Sequence, residues 1–466
     1  MKWPAYPSYR PSEAEWLGDV PEHWAVVELR RVSKRIQTGS TPPTSEERYY
    51  EDGTVPWFGP GSFDGGIVLS IPTKLLHPSA TREGAARLFE AGSTMVVTIG
   101  ATLGKVASLA EPGSCNQQVT VVEFDRDSVY PRFGSYLMKR MEPALRATAP
   151  SATLPILSQG DLASIAITRP PLPEQRAIAD FLDTQTAKID TLVAKKRALI
   201  EKLAEKRSAL ISRTVTRGLP AEVARAACLE AHSNFKTSGI EWLGDVPTEW
   251  RVAQLRRSCV VLDCKHKTVS FVDDGVPLAS IGEVHGFAVD LSTAKQTTED
   301  EYFEMSEGDR RPQLGDIIYS RNATVGDAAL VTTAERFCMG QDVCLIRPSE
   351  HHPRFLLYLF RSASLLEQVE SLMIGSTFRR INVGQIKAFW ICLPPAPEQG
   401  AIADFLERET AKIDALVTKV EAAIDRLQEY RAALITAAVT GKIDVRGAVP
   451  PFTGSTPSGT GATPPA

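Results

Sequence analysis

Chemistry in this chain would have to come from few residues. Gly100-Ala-Thr-Leu-Gly104-Lys105-Val106 has the outline of a phosphate loop, in which backbone N–H groups cradle an anion and a lysine reaches it. It is one residue short between the glycines, and Val106 stands where a hydroxyl residue should follow the lysine. Cys259, Cys264 and His266 are close enough to raise zinc, but no fourth ligand stands nearby. They read as packing or loop residues, and no metal site is expected. The 7 cysteines include no CxxC pair, which fits reduced thiols in a cytoplasm and not a disulfide scaffold. An adenine methyltransferase would carry Asn/Asp-Pro-Pro-Tyr/Phe; the one Pro-Pro-Phe here, Pro450–Phe452, follows Val449. No Pro-Asp dipeptide and no Ser/His/Asp or His-x-x-x-His arrangement is apparent. The residues therefore argue for a binding protein with no catalytic residues and no cofactor of its own.

The elements that would carry such a function are written twice. PPLPEQRAIADFLDTQTAKID opens at Pro170, and PPAPEQGAIADFLERETAKID opens at Pro394, 224 residues later (394 − 170). EWLGDVP stands at Glu15–Pro21 and again at Glu241–Pro247, an offset of 226 (241 − 15). Two landmarks at nearly one offset mean that a unit of about 225 residues is duplicated. Between the landmarks the copies have diverged, with one faint echo. Ala101-Thr-Leu-Gly104 and Ala323-Thr-Val-Gly326 each follow an apolar strand-like run, Thr94–Ile99 and Asp316–Ser320. A preserved back and a variable front suggest one shared job and two different targets, or packing alone retained.

After each Pro-Pro-x-Pro a helix should begin near Glu174 or Gln175 and, in the second copy, at the matching place, with Glu174 suited to the positive helix start. The apolar positions Ile178, Leu182, Ile189, Leu192, Leu199, Leu203 and Leu210 fall on a 3–4 spacing with polar interruptions. Ile402, Leu406, Ile413, Leu416, Val420, Leu427, Tyr430 and Leu434 repeat it, and Gly218 and Gly441 should end the two helices. Such helices are too long for one small domain to cover, so pairing on each other as an antiparallel coiled coil is expected. The fold expected is α+β: two pseudo-repeated globular domains joined by two long helices. The expected divisions are 1–169 (first domain), 170–217 (first helix), 218–238 (linker), 239–393 (second domain), 394–441 (second helix) and 442–466 (disordered tail, rich in Pro, Gly, Ser and Thr).

At 466 residues there is room for two or three domains, and a 43% hydrophobic, 23% charged composition is that of a soluble protein. No apolar run would span a membrane, and the first residues lack a secretory apolar stretch. A net charge of −4 is weak evidence against a strongly basic nucleic-acid binder but leaves local basic faces open.

Taken together, these residues resemble the specificity subunit of type I restriction-modification systems. The likeness rests on the twin openings (Ser238–Trp250, and in part Glu13–Trp24), GSTP with VPW (Gly39–Pro42, Val55–Trp57), LDCKH with GVPL (Leu262–His266, Gly275–Leu278) and the twin PPxPEQxAIADFL helices. It covers nearly all of residues 8–445. The resemblance implies two target-recognition domains, each reading one half of a bipartite, gapped double-stranded DNA site. It implies helices that set the gap and dock two modification (methyltransferase) subunits, to which two restriction subunits can join. S-adenosylmethionine would belong to the methyltransferase partner, ATP and magnesium to the restriction partner. The rival expectations are a non-DNA coiled-coil scaffold and a DNA-modifying enzyme in its own right.

Base reading needs Arg, Lys, Asn and Gln on exposed loops, with hydroxyls for phosphates. In the first domain the candidates are Gln37, Thr38, Ser40, Thr41, Thr102, Lys105, Asn116 and Gln117. In the second they are Lys265, His266, Lys267, Arg321, Asn322, Gln341, Arg379 and Arg380. Ala177, Phe181, Ala401 and Phe405 stand for partner docking or, equally, for packing on the adjoining domain. Lys195-Lys196-Arg197 and Lys206-Arg207 read as solvated helix faces or helix-end charge complements, with contact to the DNA backbone between half-sites as the second option.

Overall fold

A computed structural model describes residues 3–14, 16–148, 155–373 and 380–447. The chain divides into two compact units, 1–195 with 423–466, and 196–422. The two long helices, Leu172–Arg217 and Ala396–Val439, each begin in one unit and end in the other.

In the first unit a five-stranded sheet runs in the order 33–38, 119–124, 94–97, 106–109, 68–69. Its inner strands, TMVV at Thr94–Val97 and VTVVEF at Val119–Phe124, are buried at every residue, as strands covered on both faces should be. Alternation then sorts the side chains. Met95, Val97, Val119 and Val121 join Phe58, Phe63 and Phe89 in one core. On the other face Thr94 meets Ser135 of the helix Pro131–Arg140, which packs on strands 94–97 and 106–109. A three-stranded sheet, in the order 114–115, 55–58, 74–76, completes the module.

The second unit repeats this plan with different residues. Its four-stranded sheet runs 260–263, 343–347, 317–320, 328–330, and its three-stranded sheet runs 338–339, 276–279, 296–297. Strand for strand, these are the orders of the first unit without the edge strand 68–69. Ile318, Ala329, Val343 and Leu345 face one core, and Ile317, Tyr319, Ala328, Cys344 and Ile346 face another. The sequence divergence thus leaves the topology intact.

The repeated line is explained by what its glutamate and glutamine hold. Glu174 is buried in the first turn of its helix and accepts hydrogen bonds from Tyr6 Oη (2.6 Å) and Trp24 Nε1 (3.1 Å), with His23 Nε2 at 2.9 Å. Glu398 accepts from Trp250 Nε1 (3.0 Å), with His232 Nε2 at 2.7 Å. Gln175 Nε2 donates to the Pro170 carbonyl and its Oε1 accepts from Tyr130 N; Gln399 does the same with Pro394 and His352. Each pair therefore fastens a long helix to residues that flank the EWLGDVP segment and to the start of a second helix of the same unit, Pro131–Arg140 or Pro353–Phe360.

Three expectations need correction. The first helix starts at Leu172, not Glu174, because first-turn N–H groups have no intrahelical acceptor and Pro173 loses nothing there. Leu192, Leu199, Leu416 and Tyr430 do not lie in the seam; they are 47%, 44%, 49% and 49% exposed. The covered stripe is instead 182, 186, 189, 193, 196, 200, 203, 207, 210, 214, an unbroken 3–4 alternation, with its counterpart at 406–438. Ile178, Leu182, Ile189, Ile402, Leu406, Ile413 and Leu434 are buried, and Leu203, Leu210, Val420 and Leu427 half-buried. Of the two roles left open for Phe181 and Phe405, their burial fits packing: Phe181 is 1% exposed against the Trp3 ring, and Phe405 lies in the core of the second unit. Finally, residues 442–447 are not tail. Val445 is buried, Asp444 N donates to the Pro4 carbonyl and Tyr9 Oη to that of Gly441. The rest of the expected tail lies outside the described residues.

Each unit also closes on the end of the other copy's helix. Thr168 Oγ1 donates to the Val439 carbonyl in the first unit, and Cys392 Sγ to the Val215 carbonyl in the second. Asp190 pairs with Arg431 (3.0 Å), and Asp414 with Arg207 (3.4 Å), each within its own unit. Gly441, at φ +72°, is fixed by this closure: a Cβ there would stand 2.3 Å from Pro21.

Candidate nucleic-acid interface

In the first unit the loop after strand 33–38 is laid on the loop before strand 119–124. Ser40 N donates to the Cys115 carbonyl, and Gly39 N to that of Val119. A Cβ on Gly39 would stand 2.2 Å from the Cys115 oxygen, so only glycine allows this approach. The contact brings Thr41 Oγ1 to within 2.5 Å of Gln117 Oε1. Asn116 and Gln118 close a turn on each other, Nδ2 to Oε1 at 2.9 Å and N to Oδ1 at 3.0 Å. Thr38 is bonded to Thr120 and Gln159, and Ser40 Oγ accepts from Arg87 N. Gln37 is half-buried on the strand itself. Thr38, Ser40, Thr41, Asn116 and Gln117 thus come together as an amide and hydroxyl surface, with the exposed Arg87 guanidinium at its side, donating to the Thr38 and Gly39 carbonyls (2.6 and 3.3 Å). Lys105 does not join it; its ammonium donates to the Phe63 carbonyl at 2.8 Å. Thr102 lies in the turn between strands 94–97 and 106–109.

The second unit sets Gln341 in the matching place, 224 residues on (341 − 117), one residue removed from strand 343–347. Its Nε2 donates to Thr268 Oγ1 at 3.0 Å, in the loop after strand 260–263. Here the loops are tied by a buried arginine. Arg321, 3% exposed, donates to the Gln341 carbonyl (2.9 Å) and lies 3.3 Å from Asp263. The expectation that Arg321 reads bases is therefore wrong: a guanidinium enclosed by its own loops cannot reach a groove. Cys264 Sγ donates to the same carbonyl at 3.0 Å, and burial pushes this thiol up to about 11, so it keeps the proton it donates.

Lys265 and Lys267 are engaged by Glu307 and Glu304, and the bond to Glu304 raises Lys267 above its ordinary value. Asn322 Nδ2 is held by Asp342 (3.1 Å). His266 is exposed, with Asp263 3.4 Å away. Arg380 is exposed and bridges to Asn322 through the backbone; Arg379 lies outside the described residues. Asp263, Cys264 and His266 come within 4.8 Å of one another. Cys259 belongs to a different core from Cys264, so the suspected Cys259–Cys264–His266 set is not assembled. Sequence reasoning missed Gln159, Thr268 and Asp342. NQQV at Asn116–Val119 set against GQDV at Gly340–Val343 would have aligned the two glutamines, but nothing local marks Gln159 as a partner of Thr38.

No helix among the described residues is long and apolar enough to cross a membrane. Residues 21–202 and 278–426 match the family described as the type I restriction modification DNA specificity domain. The chain is 23% identical over 439 residues to the type I restriction enzyme MjaVIII specificity subunit of Methanocaldococcus jannaschii, covering 92% of this chain and 94% of that one. It is 22% identical to the EcoKI specificity subunit of Escherichia coli, covering 91% and 90%. A solved chain from a study of complex assembly and conformational transition of the type I R-M system shares the fold, with a TM-score of 0.64 at 19% identity, over 91% of this chain and 99% of that one. With a match that spans both modules and reaches into both long helices, the chain belongs to the type I restriction modification DNA specificity family.

Proposed function

We propose that this chain is the sequence-specificity subunit of a type I restriction-modification complex. Each module reads one half of a gapped duplex site, and the long helices pair and set the gap. The chain carries no catalysis and holds no cofactor. Two modification subunits dock on it and supply S-adenosylmethionine chemistry, and restriction subunits bring ATP and magnesium. The complex works where the DNA is, in the cytoplasm. One observation carries the reading beyond family membership: two modules of the same strand order present different polar loops at the same place. A shared scaffold with exchanged loops is what two different half-sites require.

The test is to map N6-methyladenine across the source genome with and without this gene, its modification gene left in place. Loss of a gapped, two-part motif on deletion is the expected result. An unchanged methylome in cells with an active modification subunit would overturn the reading in favour of a scaffold. S-adenosylmethionine binding by the chain alone would favour an enzyme.

A further inference from the structure

Of the candidate polar side chains at the two loop pairs, most are already engaged. Asn116 closes its own turn, Asn322 is held by Asp342, Lys265 and Lys267 are paired with carboxylates, and Arg321 is enclosed. Gln117 and Gln341 stand apart. Both are exposed, both stand two residues before the first residue of an inner strand of their sheet, and both lean on a threonine of the loop that follows the first strand. Their sequence neighbours differ between the copies, Asn116 and Gln118 against Gly340 and Asp342.

We propose that Gln117 and Gln341 are the specificity-determining residues of the two modules, each reading one adenine·thymine pair in the major groove. This rests on the DNA-reading function proposed above. A glutamine amide meets adenine with two bonds, donating to N7 and accepting from N6. The amide has two donors and two acceptor sites, and the threonine occupies one of the four. Gln117 keeps both N–H donors and one lone pair. Gln341 keeps one N–H and its carbonyl. Each can therefore still make the two-bond contact. Thr41 and Thr268 hold the side chain in place before DNA arrives, which lowers the entropy cost of binding. In the second module Arg321 and Cys264 also fix the main-chain carbonyl of Gln341, leaving its side-chain amide free, which makes Arg321 a positioning residue.

The experiment uses the full chain with its modification subunits and duplexes of the mapped motif in which each base pair is replaced in turn. Wild type is compared with Gln117→Ala and Gln341→Ala, and melting curves verify the fold. Each variant should lose discrimination of about 5- to 150-fold at a single A·T pair in one half-site, with the other half-site as internal control. Placing 7-deazaadenine at that pair should weaken wild type and leave the variant unaffected. Should an alanine variant melt early, the isosteric Gln117→Glu or Gln341→Glu replaces it and should turn preference at that position toward cytosine. Retention of full discrimination at every A·T pair by both variants would overturn this inference while leaving the specificity function standing. Absence of any preferred motif for wild type would overturn the function and the inference together.

Discussion

Glu174 and Glu398 are carboxylates placed where a protein seldom leaves one, 6% and 7% exposed, and each is kept there by donors aimed at it. Tyr6, Trp24 and His23 surround the first, and Trp250 and His232 the second. Burial, with the bond to Glu174, pushes the Tyr6 phenol well above its ordinary value, so it stays a donor at any working pH. Removing the carboxylate leaves the indole N–H without a partner in a site water cannot easily refill. Glu174→Ala or Glu398→Ala should therefore destabilise its own unit by about 3–5 kcal/mol, the cost of breaking a buried charged network from one side. Thermal melting would register this as a clear fall in midpoint; an unchanged midpoint would mean that these glutamates are not structural. The sequence showed that PEQ was repeated. It suggested a helix-start charge for the glutamate but not the tryptophan opposite, because that partner lies about 150 residues away and no local pattern connects them.

Among the elements, the long helices separate what a pattern of leucines suggests from what packing selects. The 3–4 spacing was legible, and Ile178, Leu182 and Ile189 are all buried. At 192 and 199 the choice of leucine over its neighbour, Val193 or Ile200, shifted the reading by one position. The covered stripe includes Thr186, Val193, Lys196, Arg207 and Thr214, and long charged side chains can lay their aliphatic stems along such a stripe. The contrast can be measured on adjacent turns of one helix. Ile189→Ala, at 5% exposure, should cost about 2–4 kcal/mol, whereas Leu192→Ala should change stability by less than about 0.5 kcal/mol. Denaturant midpoints of the two variants decide it, and equal losses would restore the leucine seam. The strand orders were less legible still. Fully buried inner strands show no alternation to read, and only the ATLG and ATVG turns betrayed that the two fronts share a plan.

For the whole molecule, the duplication was plain from two landmarks, but the closure of each unit on the other copy's helix end was not. It depends on contacts such as Thr168 to Val439 and Cys392 to Val215. This arrangement makes both long helices part of both units, so neither can change length without the chain registering it. If the helices set the gap between half-sites, an added length of helix should appear in the DNA motif. Four residues are the useful insertion: they add about 6 Å and turn the helix by about 400°, returning the covered stripe to within about 40° of its line. Placed in the first helix after Ala198, well clear of the Glu174 anchor, such an insertion should lengthen the gap by about two base pairs, since one duplex turn of about 10 base pairs spans about 34 Å. Both half-sites should keep their bases, because the loops that carry Gln117 and Gln341 are untouched. The measurement is again the methylation map. A longer gap with the same two halves supports the spacer role, and the old gap retained in an active complex means that something other than these helices sets the distance.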